Sequence, residues 1–181
     1  MRYRAGLETR AKILDATREL LAEGGLDGAT IKAICERADV RAGSFYNLFD
    51  SKEEAILTAV RQAITAVDPD PAGLGEEQIA DLIEAYIRFV TAEPVLAKVY
   101  LRIAVGGGVS DQAIADRMLR HHRARVERFR DALLRADPHL PKEEAELDAE
   151  ATLAAINGYA LHSILDPTFD FAGHARRLIP A

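Results

Sequence analysis

Apolar positions recur at helical spacing from the start of the chain. Over 8–23, Ile13, Leu14, Ala16, Thr17, Leu20 and Leu21 fall on one stripe, and Gly24-Gly25 offers a left-handed stop. Thr30 then stands as an N-cap before Ile31, Ile34 and Cys35, which places a short helix ending near Arg37. A break at 38–42 leads into a second short helix over 43–49. Ser51 caps the next helix and Glu54 completes a capping box; that helix runs to Val67, where Asp68-Pro69-Asp70-Pro71 ends it. Five more helices are expected over 76–91, 94–105, 110–136, 142–165 and 170–179. Pro94 suits a first turn, Gly106-Gly107-Gly108 a flexible connection, and Asp137-Pro138 a terminator. No run alternates as a strand does, so the expected fold class is all-α, of about nine helices. The divisions expected are a head over 1–50, a connecting helix over 51–67 and a larger body over 68–181, with 68–75 as the boundary segment.

Composition adds limits rather than a function. Hydrophobic residues at 49% and charged residues at 29% fit a soluble globular chain. No stretch approaches the roughly 18 apolar residues needed to span a membrane. Met1-Arg2-Tyr3-Arg4 runs into a charged amphipathic segment, so no signal peptide is expected. The single cysteine, Cys35, cannot close an internal disulfide, which suits a cytoplasmic protein.

A net charge of −6 speaks against nucleic acid only on average. Residues 1–52 carry nine Lys/Arg against eight Asp/Glu, and the remainder fourteen against twenty-one, so the acidity belongs to the body. Binding to phosphate depends on the local surface, which the head's balance permits.

Two short helices with a tight break between them, flanked by longer ones, describe a helix-turn-helix. In that motif the first short helix crosses the DNA backbone and the second enters the major groove, N-terminal residues toward base edges. Such a reading helix needs small or polar residues at its start and apolar residues behind. Arg41, Ala42, Gly43, Ser44 and Asn47 meet the first need, and Phe45, Leu48 and Phe49 the second.

The tract from Thr30 to Glu54, containing Gly43-Ser44-Phe45-Tyr46-Asn47 and Ser51-Lys52-Glu53-Glu54, resembles the N-terminal signature of the tetracycline-repressor-type (TetR) family. The likeness reaches back through Arg10–Ala16 and Gly24-Gly25-Leu26 and covers about residues 8–67. It implies a transcriptional regulator, usually a repressor, that leaves a palindromic double-stranded DNA operator when a small-molecule effector binds. By this likeness Thr30, Tyr46 and Lys52 would hold phosphates, Arg41, Ala42, Ser44 and Asn47 would face bases, and Gly43 would let the backbone approach the groove. Two positions depart from the pattern. Asp39 stands where the family usually has the turn glycine, and Leu48 replaces an often polar or aromatic residue. Cys35, where the family usually has a small residue, reads as a packed core thiol rather than a redox sensor.

In the body, Leu147, Ala151, Ala154, Gly158, Leu161 and Leu165 share one face of the helix over 142–165, while Leu153, Ile156, Ala160 and Ile164 share the opposite one. Small residues in mid-stripe allow a close helix approach, as at a two-fold contact, although a buried central helix reads the same way. The tract 157–167 resembles the penultimate helix of such regulators, which implies a homodimer through this face. The resemblance also implies an effector cavity, with apolar walls from Ile64, Ile83, Ile87, Val90, Val99 and Met118. Its candidate polar groups are Arg61, Tyr86, Tyr100, His121, His122, Asn157 and His162. Six arginines at 117, 120, 123, 125, 128 and 130 read first as a solvated helix face, with an acidic effector as the second reading.

An enzyme is disfavoured. No G-x-S-x-G, P-loop, H-E-x-x-H or E-x-x-H pattern is present, the five histidines form no i, i+4 pair, and neither a cofactor nor a metal is expected. The rival reading is a helical ligand-binding or interaction module that no longer binds DNA.

Overall fold

The computed structural model describes residues 2–106 and 112–180, and all regular structure among them is helical. In chain order the helices are α1 (Arg2–Gly28), α2 (Ile31–Ala38), α3 (Ala42–Tyr46), α4 (Lys52–Ala66), α5 (Ile79–Ala92), α6 (Pro94–Gly106), α7 (Gln112–Ala136), α8 (Lys142–Leu165) and α9 (Phe171–Arg176). The all-α expectation is met. Most of the expected Gly106-Gly107-Gly108 connection, and the start at 110 expected for the following helix, lie outside the described residues.

The chain forms two compact units, Met1–Ala63 with Val95–Tyr100, and Ile64–Pro94 with Leu101–Ala181. Neither unit is one continuous stretch. The change from one to the other falls inside α4, and the segment 68–75 belongs to the second unit.

In the first unit, α1 starts earlier than its apolar stripe, at Arg2, and continues to Gly28 across a break at Gly25 (φ 61°, ψ −157°). Only a residue without Cβ adopts that backbone freely, so the glycine pair acts where the sequence placed the stop. Ile13, Leu14 and Leu21 are buried, and the buried Thr17 hydroxyl donates to the Ile13 carbonyl at 2.7 Å. Thr30 is extended (φ −84°, ψ 154°) and accepts a hydrogen bond from the Ala33 amide at 3.1 Å, the expected N-cap. At the start of α4 the Ser51 hydroxyl accepts from the Glu54 amide at 3.1 Å. The Glu54 carboxylate reaches back to the Asp50 amide at 2.7 Å, one residue before the cap.

In the second unit, Leu82, Ile83, Tyr86, Ile87 and Phe89 of α5, Val126 and Phe129 of α7, and Phe171 and Ala175 of α9 are buried. On α8 the buried face is Ala145, Ala149, Leu153, Ile156 and Ala160. α5 starts at Ile79 rather than 76 for two reasons. Gln78 and Asp81 form a capping box there, and Glu77 turns inward to 7% exposure. Arg128 holds that carboxylate through Nε at 2.9 Å and the Asp68 carboxylate through Nη2 at 2.9 Å. One guanidinium thus ties the two ends of the 68–77 connection to α7. α9 is shorter than the expected 170–179. Asp170 caps it by accepting from the Gly173 amide at 2.9 Å, and a Cβ at Gly173 would collide with that carboxylate.

Leu153 is fully buried on α8, so Leu153→Ala removes methyl groups from a closed site. The unfolding free energy in urea is expected to drop by about 2–5 kcal/mol. Burial raises the Asp68 carboxyl, but hydrogen bonds from Arg128 and the Asp70 amide outweigh it and leave the group below its ordinary range. Because the folded pKa lies below the unfolded one, Asp68 stabilises the fold fully above about pH 4 and loses that contribution as the pH falls through its folded pKa. Asp68→Asn should therefore lower stability at pH 7 and flatten its decline in acid, measured by denaturation at a series of pH values.

Candidate functional site

α3 has five residues, too few to be stable alone, so its place is set by what it buries. Phe45 is fully buried, with the rings of Phe49 at 5.6 Å and Tyr46 at 5.7 Å from its own. Arg10 of α1 lies over the Phe49 ring at 5.5 Å. Between α2 and α3, Asp39 takes the left-handed conformation (φ 53°, ψ 50°), and its amide donates to the Cys35 and Glu36 carbonyls. The residue in the place of the usual glycine therefore makes the turn a glycine would make, as a short polar side chain tolerates.

α2 is clamped to α1 by a feature the sequence reading missed. Arg37 donates to Glu19 at 3.0 Å and to Glu23 at 2.9 and 2.8 Å. Hydrogen bonding to Glu23, then to Glu19, raises the Arg37 guanidinium above its ordinary range, and Arg37 in turn lowers Glu23. This cation is committed to the fold. The pairing joins residues 14 and 18 apart in sequence, so no local spacing announces it.

With Phe45 inward, the other side of α3 faces solvent. Tyr46 is 56% exposed, and Arg41, Ala42, Gly43 and Asn47 are exposed with it, while Ser44 is half-buried. Arg41 is the extended N-cap of α3; its carbonyl accepts from the Ser44 amide at 2.9 Å, and its side chain makes no hydrogen bond or ion pair among the described residues. Asn47 is the C-cap of α3, at the far end from Arg41. A Cβ on Gly43 would meet nothing within 4 Å, so the protein's own packing does not require glycine there. Thr30 is exposed at the α2 N-terminus. Lys52 is half-buried, and its ammonium donates to the Leu26 carbonyl at 3.3 Å. Ile31, Lys32, Cys35, Glu36, Asp39, Val40, Arg41, Ala42 and Tyr46 line an open recess of about 650 Å³ between α2 and α3. Cys35 is buried there, and burial, then the Glu36 charge, raises its thiol pKa, so the reactive thiolate is disfavoured.

The residues named for an effector do not all gather. Tyr86 and Asn157 do, the tyrosine hydroxyl donating to the asparagine Oδ1 at 2.9 Å. Met118 and His121 are half-buried on α7, and Ile64 is half-buried at the end of α4. His162 is exposed, with its ring 5.3 Å from that of Phe169. Arg61, exposed, and Tyr100, buried, belong to the first compact unit.

The stripe named for a dimer is open. Leu147, Leu161 and Leu165 are 63%, 49% and 73% exposed, and Ala151, Ala154 and Gly158 are exposed between them. A Cβ on Gly158 would meet nothing within 4 Å. Among the described residues, no helix is long and apolar enough to cross a membrane, and no three His, Cys, Asp or Glu gather as a metal would need.

Comparison with known proteins agrees with the head. Residues 13–59 match the bacterial regulatory proteins of the tetR family. The chain is 30% identical over 115 residues to the HTH-type transcriptional repressor KstR of Rhodococcus jostii (strain RHA1), covering 61% of this chain and 54% of that protein. It is 41% identical over 54 residues to the HTH-type transcriptional regulator UidR of Escherichia coli (strain K12), 30% of this chain and 28% of that one. The chain thus spans about half the length of the first relative and less of the second. The fold is that of the transcriptional regulator FadR from Bacillus subtilis, solved in complex with stearoyl-CoA. The TM-score is 0.72 at 16% identity, over 93% of this chain and 94% of that one. The match to the tetR family is therefore carried by residues 13–59, the segment that holds the helix-turn-helix, while the likeness to the solved regulator is one of fold.

Proposed function

We propose that the chain is a sequence-specific DNA-binding transcriptional regulator, a homodimeric repressor that leaves a palindromic operator when a small-molecule effector binds its body. The observation that carries the reading is the solvent-facing side of α3. It presents Arg41, Ala42, Gly43, Tyr46 and Asn47 on a helix held from behind by Phe45. An unpaired guanidinium at the helix start suits the acceptor pair of guanine, and the exposed Tyr46 hydroxyl and Thr30 suit phosphate oxygens. Lys52 keeps two N–H donors beyond its bond to Leu26 and serves as a third phosphate contact. Gly43, with open space over its Cα, leaves room for the groove edge.

The dimer rests on α8. A helix buried on one face and apolar on the other needs a second cover, and three exposed leucines beside Ala151, Ala154 and Gly158 suit another copy of the same stripe. Two heads related by a two-fold axis would meet half-sites one helical turn apart, or a multiple. Operator and effector would favour different arrangements of the dimer, each weakening the other's binding by the same factor. α4, which contributes residues to both compact units, is the natural carrier of that coupling. The operator is the intracellular chromosome's, so the site of action is the bacterial cytoplasm.

Selection from random DNA with the purified protein tests the reading; an enriched palindrome whose binding weakens steeply with salt is expected, and no enrichment overturns it. On that operator Arg41→Ala should cost about 1–3 kcal/mol and relax preference at one base position per half-site. Tyr46→Ala should weaken all sequences alike, by about 1 kcal/mol. Fluorescence anisotropy on single-base variants separates the two. Gly158→Arg should turn a dimer into a monomer in sedimentation at micromolar concentration while leaving the helical circular dichroism intact, because Gly158 is exposed and a Cβ there meets nothing within 4 Å in its own chain.

A further inference from the structure

The half-buried arginines of α7 are Arg117, Arg125, Arg128 and Arg130. Arg128 is neutralised by Asp68 and Glu77, and Arg130 by Asp131; Arg117 also has a polar or electrostatic partner. Arg125 is different. No carboxylate pairs with it among the described residues, and its guanidinium lies over the Tyr86 ring, 4.7 Å from the centroid. Its Nη2 is fully covered and has no acceptor. A covered guanidinium N–H has given up water without a replacement, and an aromatic face returns only part of what an anion would.

The surroundings are built rather than incidental. Tyr86 is 9% exposed and hydrogen-bonds Asn157 of α8 at 2.9 Å, and the rings of Phe89 and Phe171 stand 6.2 and 6.3 Å from its own. One cation thus stands over the ring of a tyrosine whose hydroxyl is held by an amide, in an aromatic setting, while Arg128 and Arg130 on the same helix are already paired with carboxylates.

We propose that Arg125 is the recognition point for an effector carrying a single carboxylate on an apolar body. The two oxygens of a carboxylate match the guanidinium fork and supply the acceptors Arg125 lacks, while Tyr86, Phe89 and Phe171 receive the apolar part. A doubly charged phosphate would bring one more negative charge than this lone cation balances. This inference rests on the effector reading of the body and names the ligand class.

The test is calorimetric titration of the full-length protein with octanoate and phenylacetate, and with their neutral amides, octanamide and phenylacetamide. At least one carboxylate should bind, its amide roughly tenfold or more weaker, and Arg125→Gln should weaken the carboxylate by a similar factor while the melting profile shows an intact fold. Arg125→Lys, which keeps the charge and loses the fork, should fall between the two. The proposal is overturned if no carboxylate binds, if an amide binds as well as its acid, or if Arg125→Gln leaves the affinity unchanged. Operator binding measured in parallel separates the two levels. Arg125-dependent carboxylate binding that leaves the operator complex untouched upholds the anion site and sinks the effector reading. Release of the operator by an amide alone does the reverse.

Discussion

A reading helix of five residues has no stability of its own, and everything the head does depends on burying one ring. Phe45 anchors α3 from behind; without it Tyr46 and Arg41 would be solvated side chains on a loop. The rest of the head serves that anchor. Thr30 caps α2, Asp39 turns the chain, and Arg37 fastens α2 to α1 through two glutamates. Phe45, Asp39 and Arg37 spend side-chain or backbone groups on the fold itself, which leaves the solvent-facing side of α3 to small and polar groups.

The second unit shows the opposite use of charge. Arginines dominate α7, and a solvated face was the first reading of that run. Tertiary structure divides the run instead: Arg128 organises the 68–77 connection by holding Asp68 and the buried Glu77, and Arg125 stacks on Tyr86. Residues three apart on one helix thereby do different work, one joining segments of the chain and the other standing without a counter-charge.

What was legible in the sequence was whatever acts over a few residues. The caps at Thr30 and Ser51, the glycine stop of α1, the left-handed tolerance of Asp39 and the full span of α8 were all readable, because each depends on local backbone chemistry. The two faces of α8 were readable as well, since periodicity alone separates Leu153 from Leu161. The start of α5, the end of α9, the Arg37 clamp and the isolation of Arg125 were not. The Arg37 clamp and the Arg128 contact that draws Glu77 inward before α5 depend on partners distant in sequence, and spacing along one segment carries no trace of them.

The first compact unit includes Val95–Tyr100 from the start of α6, where Leu96, Ala97, Val99 and Tyr100 are all buried. The reading head is therefore not a cassette. A chimaera that joined 1–63 of this chain to a foreign body would leave those four apolar side chains behind, and the head would be transplanted without part of its own packing. Exchange of operator specificity between relatives is then easier by replacing the solvent-facing residues of α3 in place than by moving the segment that carries them.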